Sequence, residues 1–523
     1  MDRFQGASAS HPDLVRTTRV PCQVDASVPD APASLVPTAV RWAAVGLLLA
    51  QLGLMLAFSE VEYRRFCLTK DFATYSQAWW AISHGHLDPT STVLGLPFWR
   101  NNAELVLWPL SLLHLLDPHP LVLLWVQDLC VVATEAVALT WVSRVVERSR
   151  LGSLPATLLV GWSAVALAAD PWAWETIAFD FHTETLAALF STLLGFDLWS
   201  GRRRCWVWVP LALVCCVPAS LYVVGAGAAG IFGSGNRTRR WRGAGVASCG
   251  LAWLLTAGAL GAAGLGGRGL QLWYGYLAGP GSAHLGAAGI AVGIAAHPVA
   301  VARLVYPRVP IIVGFLVAVG LVGVLSVWGL FPALAVIVPS ALNSSPLFLR
   351  FPQSFQTWPA LPFVLVGTAS VLAGAYPRAG GVRRLAVGAA SLWVTVAVIL
   401  AAEVLPGLAP DWISVSVPAA RLLATARERI PPGAEVIADN GIIGRFAERS
   451  DVRLAGPGYV PVDRARVVFV LAGGVGVADP GPSQTAAEVG SLRRAGAEVT
   501  AAGYGVVVLA WTPPRRTRRI LLP

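Results

Sequence analysis

One acidic residue, Asp71, stands at the start of a stretch in which Tyr75, Trp79 and Ile82 recur at helical spacing. A carboxylate that is ionised at neutral pH can act as a general base and take a proton from a hydroxyl group. It can also cap a helix by accepting hydrogen bonds from the backbone N–H groups of the first turn. The sequence leaves both roles open for Asp71.

A second polar group lies in residues 180–184, where Asp180, His182 and Glu184 alternate with other residues. In an extended segment all three would share one face, and in a helix Asp180 and Glu184 would do so. Either arrangement could hold a divalent cation or orient a hydroxyl substrate. The same acids could instead favour the positive end of a helix. A metal cofactor at these three residues is therefore a hypothesis.

The membrane class of the chain makes these polar residues stand out. Hydrophobic residues make up 55% of the 523, and charged residues only 13%, about half the share of a typical soluble domain. Several apolar runs approach the roughly 20 residues that a helix needs to cross a bilayer. We predict a polytopic protein in contact with membrane lipids. The net charge of +10 lies in arginine-rich short loops, which orient spans, and does not indicate nucleic-acid binding.

The basic loops predict three regions. Residues 1–37 are a disordered cytoplasmic tail, 38–402 a transmembrane domain with a long outer loop at 59–102, and 403–523 a small α/β domain. About eleven spans with odd parity would place the last region outside the cytoplasm. The predicted spans are 38–58, 121–142, 155–169, 185–199, a hairpin in 206–232 with its tip near Pro218, 243–265, 310–328, 330–343, 359–375 and 385–402.

Local patterns predict further elements. Residues 71–85 form an amphipathic helix in the membrane interface, residues 103–116 a short interfacial or re-entrant segment, and residues 266–308 an outer stretch. In the last region, alternating elements indicate an α/β fold. Its predicted strands and helices are 436–438, 467–471 and 506–511, and 421–429, 441–448 and 484–494.

Several sequence blocks resemble a family of bacterial multi-pass membrane proteins known only as a domain of unknown function. The resemblance runs from about residue 70 to 512 and lies in these blocks: 71–79, Gly85, 108–110, Gln127, 179–184 and 430–436. That family in turn is similar to GT-C membrane glycosyltransferases, which use polyprenyl-phosphate sugars and carry an acidic residue in the first outer loop. The resemblance implies a location in the bacterial cytoplasmic membrane, a GT-C-like all-α transmembrane bundle and Asp71 as the catalytic base.

The chain departs from that family at two places. The family usually has a histidine where Asn102 stands, and a Lys-Glu-Asp trio where Val217, Pro218 and Ala219 stand. The leading hypothesis is the transfer of a sugar from a polyprenyl-phosphate donor to an extracytoplasmic acceptor. The predicted substrate-binding residues are Gln77, Asn102, Glu104, Asp180, His182, Glu184 and Arg350.

Within that hypothesis, Arg350 would hold the lipid phosphate, because a guanidinium grips phosphate with two parallel bonds. A plain contact with lipid headgroups is the alternative for this arginine. Two other functions for the whole chain stay open. One is a transporter or flippase for a lipid-linked or small polar substrate, and the other is a non-catalytic membrane assembly protein.

Overall fold

The computed structural model describes residues 35–101, 103–262, 273–278, 287–318, 320–344, 354–375, 412–476 and 479–523. Residues Ser34–Pro523 form one compact unit. Most of the predicted tail, the last predicted span at 385–402 and the site candidates Asn102 and Arg350 lie outside the described residues.

The described chain is mostly helical up to residue 375. Its helices are α1 (Thr38–Arg64), α2 (Lys70–Ser83), α3 (Leu107–Ser111), α4 (Leu121–Glu147), α5 (Ser153–Ala168), α6 (Pro171–Ile177), α7 (Glu184–Ser200), α8 (Cys205–Leu213), α9 (Ala219–Phe232), α10 (Arg237–Ala262), α11 (Ala287–Ala296), α12 (Pro298–Val305), α13 (Val309–Ala318), α14 (Val327–Leu342), α15 (Ser354–Thr357) and α16 (Leu361–Ala375). Two helices follow in the last region, α17 (Val417–Arg429) and α18 (Pro482–Arg494).

Five helical segments are long and apolar enough to cross a membrane, which confirms the membrane class: Thr38–Arg64, Leu121–Glu147, Ser153–Ile177, Arg237–Leu260 and Pro298–Val317. Shorter apolar helices accompany them at Ala219–Phe232, Val327–Leu342 and Trp358–Gly374. One prediction is wrong in its bounds. The fifth long segment begins at Pro298, inside the predicted outer stretch 266–308. Pro298 occupies the first turn of its helix, where proline is tolerated.

Glycines allow helices α9 and α10 to approach each other closely. A Cβ atom added at Gly227 of α9 would lie 2.5 Å from the backbone nitrogen of Ala247 in α10. One added at Gly243 of α10 would lie 2.7 Å from the carbonyl oxygen of Gly227. In a membrane, such close backbone approach stabilises helix pairs through van der Waals contact. The glycines therefore bring α9 and α10 together.

The amphipathic helix predicted at 71–85 is α2, but its placement differs from the prediction. Every residue from Phe72 to Trp79 is buried, including Thr74, Ser76 and Gln77. An interfacial helix would expose one face to water. Here the polar face is covered by the C-terminal region, since Gln77 Nε2 donates to the carbonyl oxygen of Ser450 at 3.2 Å.

The α/β prediction for the last region is confirmed in outline. The central sheet has the strand order β4-β3-β6-β8-β7, and β5 pairs with β9 separately. A small hairpin of β1 and β2 lies in the first outer loop. The strands are β1 (Thr90–Ser91), β2 (Leu96–Pro97), β3 (Glu435–Ala438), β4 (Val452–Leu454), β5 (Gly458–Pro461), β6 (Val467–Ala472), β7 (Glu498–Gly503), β8 (Val506–Trp511) and β9 (Arg519–Leu522).

The three strands predicted from continuous apolar runs are the buried ones, β3, β6 and β8. In the α/β region four strands were not predicted, β4, β5, β7 and β9, because they are exposed, alternate in burial or are brief. One predicted helix is wrong: residues 441–448 contain only a single 3-10 turn, Ile443–Phe446. Gly444 lies there against the loop before α2, with its N–H donating to the Leu68 carbonyl at 2.9 Å, so the segment follows that loop.

The last region contacts the first outer loop along several points. Thr92 in that loop exchanges hydrogen bonds with the backbone of Val452, at 2.6 and 3.0 Å. The guanidinium of Arg445 lies over the rings of Tyr63 and Phe66, 4.4 Å from each centroid. These contacts make the loop and the α/β region one packed body.

Candidate functional site

The start of α2 sets the position of Asp71. Thr69 is the N-cap, and its hydroxyl accepts a hydrogen bond from the Asp71 N–H at 3.3 Å. Asp71 is therefore not the cap residue, and the capping alternative does not apply. Its half-buried carboxylate occupies the first turn, where the positive end of the helix dipole stabilises a negative charge.

Asp180, which is far from α2 in the sequence, contacts the start of that helix. One carboxylate oxygen accepts from the Thr69 N–H at 2.9 Å, and the other from the Thr69 hydroxyl and, at 3.2 Å, from the Phe72 N–H. Burial and the nearby charge of Asp71 raise the pKa of Asp180 to about 7, against the effect of these donors. Because its oxygens are used in this way, Asp180 positions the helix.

Gln127 of α4 positions the backbone around Asp180. Its Nε2 donates to the Asp180 carbonyl at 2.7 Å and to the Thr176 carbonyl at 3.3 Å, and its Oε1 accepts from the His182 N–H at 2.7 Å. Asp180 itself has φ of +48°, in the left-handed region. A non-glycine residue is rarely held there without strong local constraint, which the Gln127 amide supplies.

His182 is buried against aromatic rings. Its imidazole stacks on Phe179, with ring centroids 5.5 Å apart, and meets Tyr75 of α2 edge-on at 6.0 Å. Its Nδ1 lies 3.2 Å from the Phe179 carbonyl oxygen. Burial lowers the pKa of His182 to about 4, and the charge of Asp71 opposes that shift. The imidazole is therefore neutral at pH 7 and can exchange hydrogen bonds with a polar ligand.

Glu104 and Glu184 are two further acids near Tyr75. The Tyr75 hydroxyl donates to Glu104 Oε1 at 2.6 Å, and Asn101 Nδ2 donates to Oε2 at 3.2 Å. Burial and the charge of Glu104 raise the pKa of Tyr75 well above its usual range. The Oε2 atom of Glu184 is buried and has no hydrogen-bond partner among the described residues.

The structure thus brings Asp71, Glu104, Asp180, His182 and Glu184 to one place, around the N-terminal half of α2. The Thr69–Asp180 hydrogen bonds hold the start of α2 against segment 180–184.

Gln77 has a different place. Its amide is bound by Thr92 and by two backbone carbonyls of the α/β region, at distances from 2.7 to 3.3 Å. The structure therefore gives Gln77 a joining role between the loop and that region, and its contact with a substrate stays a prediction.

The metal hypothesis gains no support from the geometry. Across the described ranges, no group of three His, Cys, Asp or Glu side chains converges as a metal site. Asp180 turns to the start of α2, and His182 stacks on Phe179, so the three residues of 180–184 do not face a common point.

Three buried acids of the long apolar segments were missed by the sequence analysis: Glu62 of α1, and Asp128 and Glu135 of α4. Each is at most 1% exposed. For Asp128 and Glu135 the signal was present in the sequence, because both lie inside the predicted span 121–142, where an ionisable residue is costly and usually functional. Glu62 lies in the predicted outer loop 59–102, and it is buried because α1 continues to Arg64.

Comparison with known proteins assigns no family. A scan against protein-family models finds no match, and a search of curated proteins finds no match either. The functional argument therefore depends on the geometry around α2.

Proposed function

We propose that this chain is a membrane glycosyltransferase of the GT-C kind, which moves a sugar from a polyprenyl-phosphate donor to an acceptor outside the cytoplasm. One observation carries the proposal. The half-buried Asp71 carboxylate makes no hydrogen bond or ion pair within the described part of the chain, yet its charge acts on the buried His182 and Asp180. A partly exposed carboxylate beside buried polar side chains is the arrangement that a general base requires.

The proposed step is a single displacement. The acceptor hydroxyl gives its proton to the Asp71 carboxylate while its oxygen bonds to the anomeric carbon of the sugar. The bond between that carbon and the phosphate oxygen breaks, and polyprenyl phosphate leaves with the electron pair. Neutral His182 and the buried carboxyl of Glu184 would orient the sugar hydroxyls, and Arg350 would hold the lipid phosphate.

The proposal includes a topology. About eleven spans would place the start of α2 and the α/β region outside the cytoplasm of a bacterial cell, with the basic residues of 237–242 inside. A membrane-impermeant thiol reagent should label Ser483→Cys in intact cells and Thr238→Cys only after permeabilisation, in a background with Cys22 and Cys249 replaced by serine. The reverse pattern would reject this orientation.

Asp71→Asn tests the catalytic proposal directly. Asparagine keeps the size of the side chain but cannot take the proton, so we expect a loss of about 10²–10⁴-fold in product. The measurement compares glycan and glycolipid profiles of a deletion strain complemented by each version. Accumulation of the protein should not change, because the Asp71 carboxylate makes no hydrogen bond among the described residues.

Asp88→Asn is the matched control, since Asp88 is an exposed acid in the same outer loop. It should retain the wild-type profile. Full activity of Asp71→Asn would leave Asp71 without a catalytic role and would remove the main support for a transferase.

A further inference from the structure

A row of polar residues lies inside the membrane helices, apart from the site around α2. We call it the acid stripe: Gln51, Ser59 and Glu62 of α1, and Asp128 and Glu135 of α4. Positions 51, 59 and 62 share one face of α1, and positions 128 and 135, two turns apart, share one face of α4. Direct hydrogen bonds join the two faces, from Gln51 Nε2 to Glu135 Oε1 at 3.3 Å and from Ser59 Oγ to Asp128 Oδ1 at 3.1 Å.

The acids of the stripe lack compensating charges. One carboxyl oxygen on each of Glu62, Asp128 and Glu135 is buried without a hydrogen-bond partner in the described chain, and so is Gln51 Oε1. Across the same residues, none of these acids forms an ion pair with an arginine, lysine or histidine. The titratable groups that face the stripe are Asp180 near Glu62, Asp170 near Glu135, and the thiol of Cys67.

The lack of nearby cations favours the protonated, neutral form of the acids in the stripe. Removing a carboxylate from water without a cation costs several kcal/mol, and nearby acids add repulsion. A protonated carboxyl avoids both costs and keeps one O–H donor and one carbonyl acceptor. Each acid of the stripe therefore holds its proton as a neutral carboxyl group.

A metal or alkali cation fits the stripe less well. The two hydrogen-bonded pairs are separated by seven residues of α4, or about 10 Å along the helix. Each level thus offers only one carboxyl and one neutral side chain. A bare cation needs about six oxygen ligands, whereas a proton needs only one carboxyl.

The stripe runs from the end of α1 to the middle of α1 and α4. Glu62 lies two residues before the end of α1 and near Asp180, beneath the start of α2. Gln51 is the middle residue of the 27-residue helix α1, and Glu135 lies near the middle of α4. Beyond Gln51 toward the start of α1, the buried residues on this helix are Leu48 and Ala44, which carry no protons.

We propose that the acid stripe is a proton-binding site, in which the carboxyl groups of Glu62, Asp128 and Glu135 take up and release protons. This function does not depend on the proposed glycosyltransferase activity. Ionisable groups buried at membrane depth are typical of proteins that bind or move protons.

Infrared difference spectroscopy of the full-length protein in lipid nanodiscs tests the proposal. Protonated carboxyl groups have a carbonyl stretch that is separate from the amide bands. We expect this band at neutral pH, a loss of its amplitude as the pH is raised, and a shift when H₂O is replaced by D₂O. Glu135→Gln and Asp128→Asn should each remove part of the band.

Glu60→Gln is the matched control. Glu60 is also on α1, but it pairs with Arg64 at the helix surface, so its replacement should leave the band unchanged. A band that responds neither to pH nor to D₂O would show that the acids are permanently neutral structural groups and would overturn the proposal. A missing band, or one that depends on Na⁺, would overturn it too. If a variant fails to accumulate, the response of the wild-type carbonyl band to pH and D₂O tests the proposal by itself.

Discussion

Two buried glutamates illustrate how differently the two regions of this molecule treat an acid. Glu435, on β3 of the α/β region, accepts from Arg453 Nε at 2.8 Å and from the N–H groups of Asp463 and Arg464 at 2.9 and 3.2 Å. Among the described residues, Glu135 on α4 accepts only from Gln51, at 3.3 Å. Both side chains are fully buried, so burial alone does not distinguish them.

The two glutamates differ in the cations and hydrogen-bond donors that surround the carboxyl group. The α/β region supplies a cation to one oxygen and two backbone donors to the other, which is how a fold holds a carboxylate in place. The membrane helices have their backbone donors bonded internally, so an acid there receives only what a neighbouring side chain offers. A buried carboxyl with one weak donor is more readily explained by proton exchange than by stabilisation of the fold.

The largest expected effect comes from breaking the compensated pair. Arg453→Met removes the cation and leaves Glu435 buried, so we expect a loss of about 3–5 kcal/mol in the unfolding free energy of the α/β region. Denaturant unfolding of the full-length protein in detergent, followed by proteolysis within this region, measures it.

Arg464→Met is the control for that prediction. The Arg464 side chain pairs with Asp451 but is 49% exposed, and an exposed pair contributes about 0–1 kcal/mol. Equal, small losses in both variants would mean that Glu435 does not need its cation, and the contrast with Glu135 would fail.

A smaller effect, dependent on pH, is expected at His182. Its folded-state pKa of about 4 lies below its ordinary value of 6.5, so the unfolded chain binds the proton more readily. Stability is therefore complete above pH 6.5 and falls as the pH is lowered through the interval from 6.5 to 4. The loss is at most about 1.4 kcal/mol for each unit of pKa difference.

His182→Gln should remove this part of the acid sensitivity. Thermal unfolding between pH 4 and 7 would show a flatter profile for the variant than for the wild type. An identical slope would mean that His182 takes up its proton without disturbing the packing against Phe179 and Tyr75. In that case its burial would not control its charge.

The sequence by itself determined the class of the molecule and the position of its strongest elements. Long apolar runs require membrane helices, because lipid offers no partner to a free backbone group. Three continuous apolar runs identified β3, β6 and β8, because strands buried on both faces carry no polar alternation. The helix that begins at Lys70 was also placed from the sequence, because Tyr75, Trp79 and Ile82 recur at helical spacing.

Only the tertiary structure decided what the polar residues do. Sequence spacing suggested a shared face for Asp180, His182 and Glu184, but Asp180 turns to Thr69, more than a hundred positions away in the chain. Gln77 was predicted to contact a substrate, and the structure shows that it joins the loop to the α/β region. The partner of a polar side chain depends on which distant segment packs against it, and local periodicity carries no information about that packing.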